Sequence, residues 1–227
     1  TYISKSLLEY TPAANALQPN KVFKLQNIKS SQFSGLDPSN SETSTTYDSY
    51  SNPINVTTTV KEGSTTVQTS ITNLTYLPPT SAPYVVGRPA SKTQTVSVSG
   101  DNTTSTETYT YSNHLLTQVQ KSANAAPEKI TETNTYDAFG NITKKSISVP
   151  GLAARETNYQ YDTSGRFLLK STDIEGLSTT FNYNTSNGLL NSETNPYGLT
   201  TTYFYDSWFR KIKTTDYLGK SKTLSYA

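Results

Sequence analysis

The sequence predicts an all-β fold, an antiparallel ribbon of strands folded into tandem hairpins. Three observations lead there. Hydrophobic residues make up only 33% of the 227 residues, a figure that already includes 17 Tyr. Ordinary globular domains carry about 45–50% apolar residues on a count that leaves Tyr out, so a thick aliphatic core is not expected. The abundant Thr and Tyr suit the half-exposed, pleated surface of a strand. Most telling is a spacing. Asp162, Asp173, Asn184, Asn195 and Asp206 stand eleven residues apart, Asp216 follows after ten, and Gly165, Gly176, Gly198 and Gly219 come three residues behind four of them.

The recurring unit, Asx-x-x-Gly, is a turn with a mechanism. An Asp or Asn side chain accepts the backbone N–H two residues on, and the Gly takes a left-handed conformation without steric penalty. A type I turn ending in such a residue makes a three-residue hairpin loop with a bulge. Between turns, six- or seven-residue runs alternate: Leu177, Phe181 and Tyr183 share a face, as do Leu199, Tyr203 and Tyr205. Six residues at about 3.3 Å each give a strand roughly 20 Å long. Because Asn stands at 184 and 195 where Asp stands elsewhere, the turn acceptor is kept and the charge is not. A general base or a nucleophilic carboxylate would not tolerate that exchange.

Taken in order, residues 1–39 read as a divergent strand or hairpin region with a Pro-bearing loop, "ISKSLLEYTPAANALQPNKVFKLQN". Residues 40–130 read as divergent strands with loops; "SSQFSGLDPSNSETSTT" at 30–46 and "KSANAAPEK" at 121–129, low in apolar residues, read as exposed loops or spacers. Residues 131–227 are tandem repeats of about 22 residues. The repeat motif comprises Tyr136, Asp137 and Gly140; Tyr161, Asp162, Gly165 and Arg166; Asp173 and Gly176; Tyr183 and Asn184; Asn195 and Gly198; Tyr205 and Asp206; and Asp216 and Gly219. The tyrosines before the turns are expected to lay rings across neighbouring strands. The "VPGLA" at 149–153 lengthens one repeat to 25 residues.

"YDAFGN" at 136–141, "YDTSGR" at 161–166, "YNTSNG" at 183–188 and "YDSWFR" at 205–210 resemble the repeats of bacterial RHS proteins, also called YD-repeat proteins. Upstream, "TYDSYSNPINV" at 46–56 parallels "TYDAFGNITKK", with Ser51 where Gly140 stands, and "YVVGRPASKTQTVSV" is similar to the Gly-Arg-Pro strand of RHS and toxin-complex shells. "TYTYSNHLL" at 108–116 reads as a worn repeat, and the first 39 residues resemble RHS proteins of the Bacteroidetes. Two departures, Phe209 for Gly and the shifted "SNG" at 186–188, imply wider or bulged turns. The resemblance implies a slice of a ribbon that spirals into a hollow shell, a β-cocoon enclosing a C-terminal toxin or effector. It implies as partners the remaining repeats of a longer chain, an enclosed effector and components of a secretion machinery, with a secreted or cell-surface location in a bacterium. The family's self-cleaving motif is not matched; the Asp-Pro of "GLDPSNS" at 35–41 has no Gly after it.

Other chemistry finds little support. Zero Cys excludes disulfides, thiol catalysis and sulfur-ligated metal. The single His114 cannot supply the three or four ligands of a metal centre, and Asp173 with Glu175 lacks calcium-loop spacing. No catalytic residue, metal ligand or cofactor is therefore expected, and the protein reads as non-enzymatic. A net charge of +2 without a basic run argues against nucleic acid, and nothing approaches the roughly 18 apolar residues of a membrane span. Zero Met and an ending at "KTLSYA" in mid-pattern read as a segment of something longer. A rival reading is a cell-surface adhesive β-domain that uses exposed Tyr and Asn against a glycan or a protein.

Overall fold

The computed structural model describes residues 4–12, 25–35, 39–124 and 128–226. Every regular element among them is a β-strand, and the strands pair antiparallel. The Asp-Pro at 37–38 lies outside the described residues. The chain divides into two compact units, Thr1–Thr110 with Val119–Ile130, and Tyr111–Gln118 with Thr131–Ala227.

The first unit is a meander of long strands: β1 (Ser4–Pro12), β2 (Leu25–Ser34), β3 (Ser39–Tyr47), β4 (Pro53–Glu62), β5 (Thr65–Tyr76), β8 (Pro89–Val98) and most of β9 (Asp101–Ser112). Between β5 and β8 the chain makes a two-residue hairpin from β6 (Thr80–Ser81) and β7 (Tyr84–Val85). Each long strand pairs with the next, β5 passing over the small hairpin to β8. Two connections are as tight as hairpins become. Glu62 pairs with Thr65 across Gly63–Ser64, and Val98 pairs with Asp101 across Ser99–Gly100. Ser99 and Gly100 both have positive φ, 51° and 93°, the primed geometry whose twist matches that of the strands. The faces are held by polar pairs more than by oil: Thr43 with Thr58 at 2.9 Å, Thr75 with Ser91 at 2.7 Å and Asn55 with Asn73 at 2.8 Å. The Lys29–Glu42 and Lys92–Glu107 ion pairs cross between strands. Such cross-strand pairs stabilise a sheet by about 0.2–1 kcal/mol each relative to alanines.

The second unit opens with a two-residue turn at Asn113–His114, between β9 and β10 (Leu115–Ala123), where both residues have positive φ. His114 is thus an exposed turn residue. Short strands follow: β11 (Ile130–Tyr136), β12 (Ile142–Ser148), β13 (Arg155–Tyr161), β14 (Leu168–Thr172), β15 (Ser178–Tyr183), β16 (Leu190–Thr194), β17 (Thr200–Tyr205), β18 (Lys211–Thr215) and β19 (Ser221–Thr223). From β11 onward each pairs with its successor.

Thin sheets leave little fully inside. Among the described residues the buried hydrophobics are Val119 and Phe167, Ser31 is the buried polar residue, and no side chain falls below 2% exposure. Stability therefore rests on ladder hydrogen bonds and on half-buried Tyr and Thr faces, as the low aliphatic content foretold.

Candidate functional site: the repeat turns and their tyrosines

The Asx turns are nearly superimposable in their bonding. Asp137 Oδ1 accepts N–H groups from Phe139 at 2.8 Å and Asn141 at 2.9 Å. Gly140 N–H donates to the Asp137 carbonyl, and Asp137 N–H donates to the Asn141 carbonyl. The same four bonds recur at Asp48, Asp173, Asn195, Asp206 and Asp216. Asn195 makes them without a charge. These acceptor atoms are spent on the backbone of their own loops.

Two turns are one residue longer. Asp162 N–H reaches the carbonyl of Phe167, and Asp162 Oδ1 accepts from Arg166 and Phe167. Asn184 N–H likewise reaches Leu189, and the left-handed residue there is Gly188, not Asn187. The shifted "SNG" does widen its turn. Phe209 does not: its loop closes with the ordinary bonds, and Phe209 itself takes φ 63°. Ser51 takes the same conformation at φ 64°.

Hydrogen bonding sets the acidity of three of the aspartates. The Ser164 hydroxyl and the Phe167 N–H hold the Asp162 carboxyl down at about 2, against a partial loss of hydration. At Asp137 and Asp206 that loss of hydration pushes upward most, yet the combined donors, Asn141 at one and Arg210 at the other among them, leave both carboxyls below their ordinary value. These groups are stabilised as anions and are poor proton carriers near neutrality.

Sequence spacing did not show that the turns fall into two kinds. Where Tyr precedes the Asx, the return strand carries one extra residue. Tyr136 pairs with Ile142, Tyr161 with Leu168, Tyr183 with Leu190 and Tyr205 with Lys211, each with a register shift at the Tyr. Tyr47 and Tyr76 in the first unit do the same against Pro53 and Pro89. A bulge turns a carbonyl out of the ladder, and a later tyrosine collects it. Tyr205 Oη donates to the Leu190 carbonyl at 3.0 Å, Tyr226 Oη to Lys211 at 2.9 Å and Tyr76 Oη to Pro53 at 2.9 Å. Tyr136 and Tyr47 reach back similarly, to Leu116 and Asn27. Tyr183 instead stacks on Phe167, centroids 5.1 Å apart, and burial pushes its phenol up.

Where Thr precedes the Asx there is no bulge, and hydroxyls meet across the strand ends. Thr172 with Ser178, Thr194 with Thr200 and Thr215 with Ser221 each stand at 2.9 Å. The glycines differ accordingly. Gly176, Gly198 and Gly219 face open space, but a Cβ on Gly165 would lie 2.4 Å from Phe139 Cδ2. Asn141 Nδ2 ties those two Tyr-type turns together by donating to Asp137 Oδ2 and to the Gly165 carbonyl. Asn52 makes the equivalent bond to Asp48. The Asn in "DSYSN" and "DAFGN" was the available signal. Gly87 of "GRP" is a repeat glycine in disguise: Leu77 N–H closes on the Arg88 carbonyl around an expanded loop, and a Cβ on Gly87 would meet Asn52 Oδ1 at 2.8 Å.

Of the predicted motif residues, Arg166 sits beside its turn with its guanidinium 5.0 Å from the Phe167 ring centroid. The motif aspartates and asparagines are strung along successive loops and do not converge, and no group of three or more His, Asp or Glu with metal-holding geometry occurs among the described residues. No helix there is long and apolar enough to cross a membrane.

Neither a family model nor a curated protein sequence matches the chain. Its fold does have counterparts. The crystal structure of TcdB2-TccC3-Cdc42 matches with a TM-score of 0.65 over 94% of this chain at 12% identity. That of TcdB2-TccC3 without the hypervariable C-terminal region matches with 0.65 over 99%, again at 12% identity. The chain spans 15% and 16% of the lengths of those two chains. The fold is thus an all-β antiparallel ribbon of tandem hairpins of the kind those chains contain.

Proposed function

We propose that this chain is a non-enzymatic wall segment of a larger RHS-type protein. In this reading its ribbon is part of a hollow shell around a C-terminal toxin or effector, secreted or displayed at a bacterial surface. The observation that carries it is the use of the acidic and amide side chains: each repeat turn consumes its Asx oxygen on its own loop, while tyrosines such as Tyr136, Tyr205 and Tyr226 reach back to a carbonyl of an earlier hairpin. Such a ribbon lengthens without changing its chemistry. The fold likeness to TcdB2-TccC3 chains supports the same reading. Its natural partners are then the other repeats of its own chain and whatever they enclose.

The test is limited proteolysis of the complete gene product that contains these repeats. A segment downstream of the repeats is expected to resist cleavage while the repeats stay folded and to be cut once they melt. Immediate cleavage of that segment in the native protein would overturn enclosure. A second reading, adhesion, is favoured by turn-tip aromatics: Trp208 is 79% exposed and Tyr197 is 78% exposed. Specific adherence of the native protein to host or bacterial cells, lost on changing both residues to Ser, is what it requires.

A further inference from the structure

Two irregularities of the repeat fall side by side. The lengthened Asn184 turn and the Phe209 turn both line one recess of about 280 Å³ in the second unit. Phe204, Asn187, Asn191, Leu189 and Asp206 are among its other lining residues. A non-glycine residue held at φ 63° is strained, and strain retained against an easy alternative points to use. Gly occupies this position in most of the sister turns, so the Phe is not there for the turn's sake.

The chemistry of the recess is specific. Asn184 and Asn187 commit their Oδ1 atoms to the N–H groups of Ser186 and Leu189, which leaves Nδ2 donors outside those bonds. Asn191 does the reverse, donating from Nδ2 to Asn182 Oδ1 and keeping an acceptor. The one carboxylate in the lining, Asp206, is already held by Arg210 Nε at 2.8 Å. Phe204 and Phe209 are 43% and 60% exposed, and Lys213 Nζ stands 5.0 Å from the Phe204 ring centroid. Amide donors and an amide acceptor beside open aromatic rings, with the nearby charges engaged, suit a ligand having hydroxyls at its rim and C–H groups on its face. The strands that line the recess, β16 and β17, are each paired on both sides, so an extended peptide would find no backbone ladder to join. Its volume lies near the small end of ligand sites, about 300–1,000 Å³.

We propose that this recess is a binding site for a neutral saccharide of one or two rings, stacked on Phe209 or Phe204 and hydrogen-bonded by Asn184, Asn187 and Asn191. Saturation-transfer NMR tests it, because the signal is read on the sugar and tolerates a full-length protein of any size. The probes are lactose, maltose and N,N′-diacetylchitobiose, with a sulfated disaccharide as the charged comparison. At least one neutral probe is expected to show saturable transfer. Phe209→Gly is expected to weaken that probe roughly tenfold, as for loss of one aromatic contact, while raising the melting temperature because the strain is relieved. Phe204→Leu, which keeps an apolar strand residue, is expected to weaken it as well. Absence of transfer to every neutral probe, exclusive binding of the sulfated one, or unchanged affinity in both variants would each overturn the proposal.

Discussion

The two sets of turns in the second unit make an instructive pair. Those led by Tyr, at Asp137, Asp162, Asn184 and Asp206, and those led by Thr, at Asp173, Asn195 and Asp216, use the same Asx chemistry to reverse the chain. They differ in what they do to the sheet. The Tyr-led turns carry a bulge and reach outward to another repeat, whereas the Thr-led turns close on themselves with a hydroxyl pair and an unobstructed glycine. The lesson is that one local rule folds the ribbon and a second, borne by a single residue before the turn, joins its repeats.

The largest effect should come from the glycines. Gly165→Val meets both a left-handed backbone and the Phe139 ring, and about 3 kcal/mol of destabilisation is expected from the two together. Gly176→Val meets only the backbone, so its loss should be about half as large. Equal shifts in denaturant midpoint would erase the distinction between the two sets. Next, Tyr205→Phe removes the hydroxyl that satisfies the Leu190 carbonyl, at about 1 kcal/mol. Thr194→Val on the other edge breaks a more exposed pair with Thr200 and should lose about 0.5 kcal/mol. A larger loss at Thr194 than at Tyr205, measured by urea titration, would reverse the assignment of which edge couples the repeats.

Charge is expected to matter least. Asp162→Asn keeps the acceptor for Arg166 and Phe167 and should shift the melting temperature far less than Gly165→Val. The remaining charge effect has a definite sign. The folded carboxyl sits at about 2, below its ordinary 3.8, so its contribution is complete above roughly pH 4 and fades as pH falls through 2. Thermal melts from pH 5 to pH 2 should therefore fall more steeply for the parent than for Asp162→Asn. Parallel curves would mean that the charge is irrelevant even there.

Much of the fold was legible because a turn is a local event. Asp173, Asn195 and Asp216 announce their loops by residue type and spacing, and the runs between them alternate as strands must. What the spacing hid was any feature shared between strands. An extra residue opposite Tyr183 looks identical in sequence whether it sits in the loop or in the strand, so a bulge could be expected but its link to the Tyr-led turns could not, nor the carbonyls that the tyrosines collect. Gly87 was obscured differently: ten residues of loop and small hairpin lie between Tyr76 and it, where three lie between Tyr136 and Gly140. Phe139 and Asn141 lie on loops whose neighbours are more than twenty residues away, and only coordinates bring them to Gly165.

The reach of the tyrosine hydroxyl has a genetic consequence. Tyr205 and Tyr226 each contact a carbonyl fifteen residues earlier, so what one repeat needs lies in the repeat just before it. Deleting or duplicating one whole repeat in register would leave a junction of this kind chemically familiar. Unequal recombination could thus lengthen or shorten such a protein in steps of one module, and selection would then judge only its size.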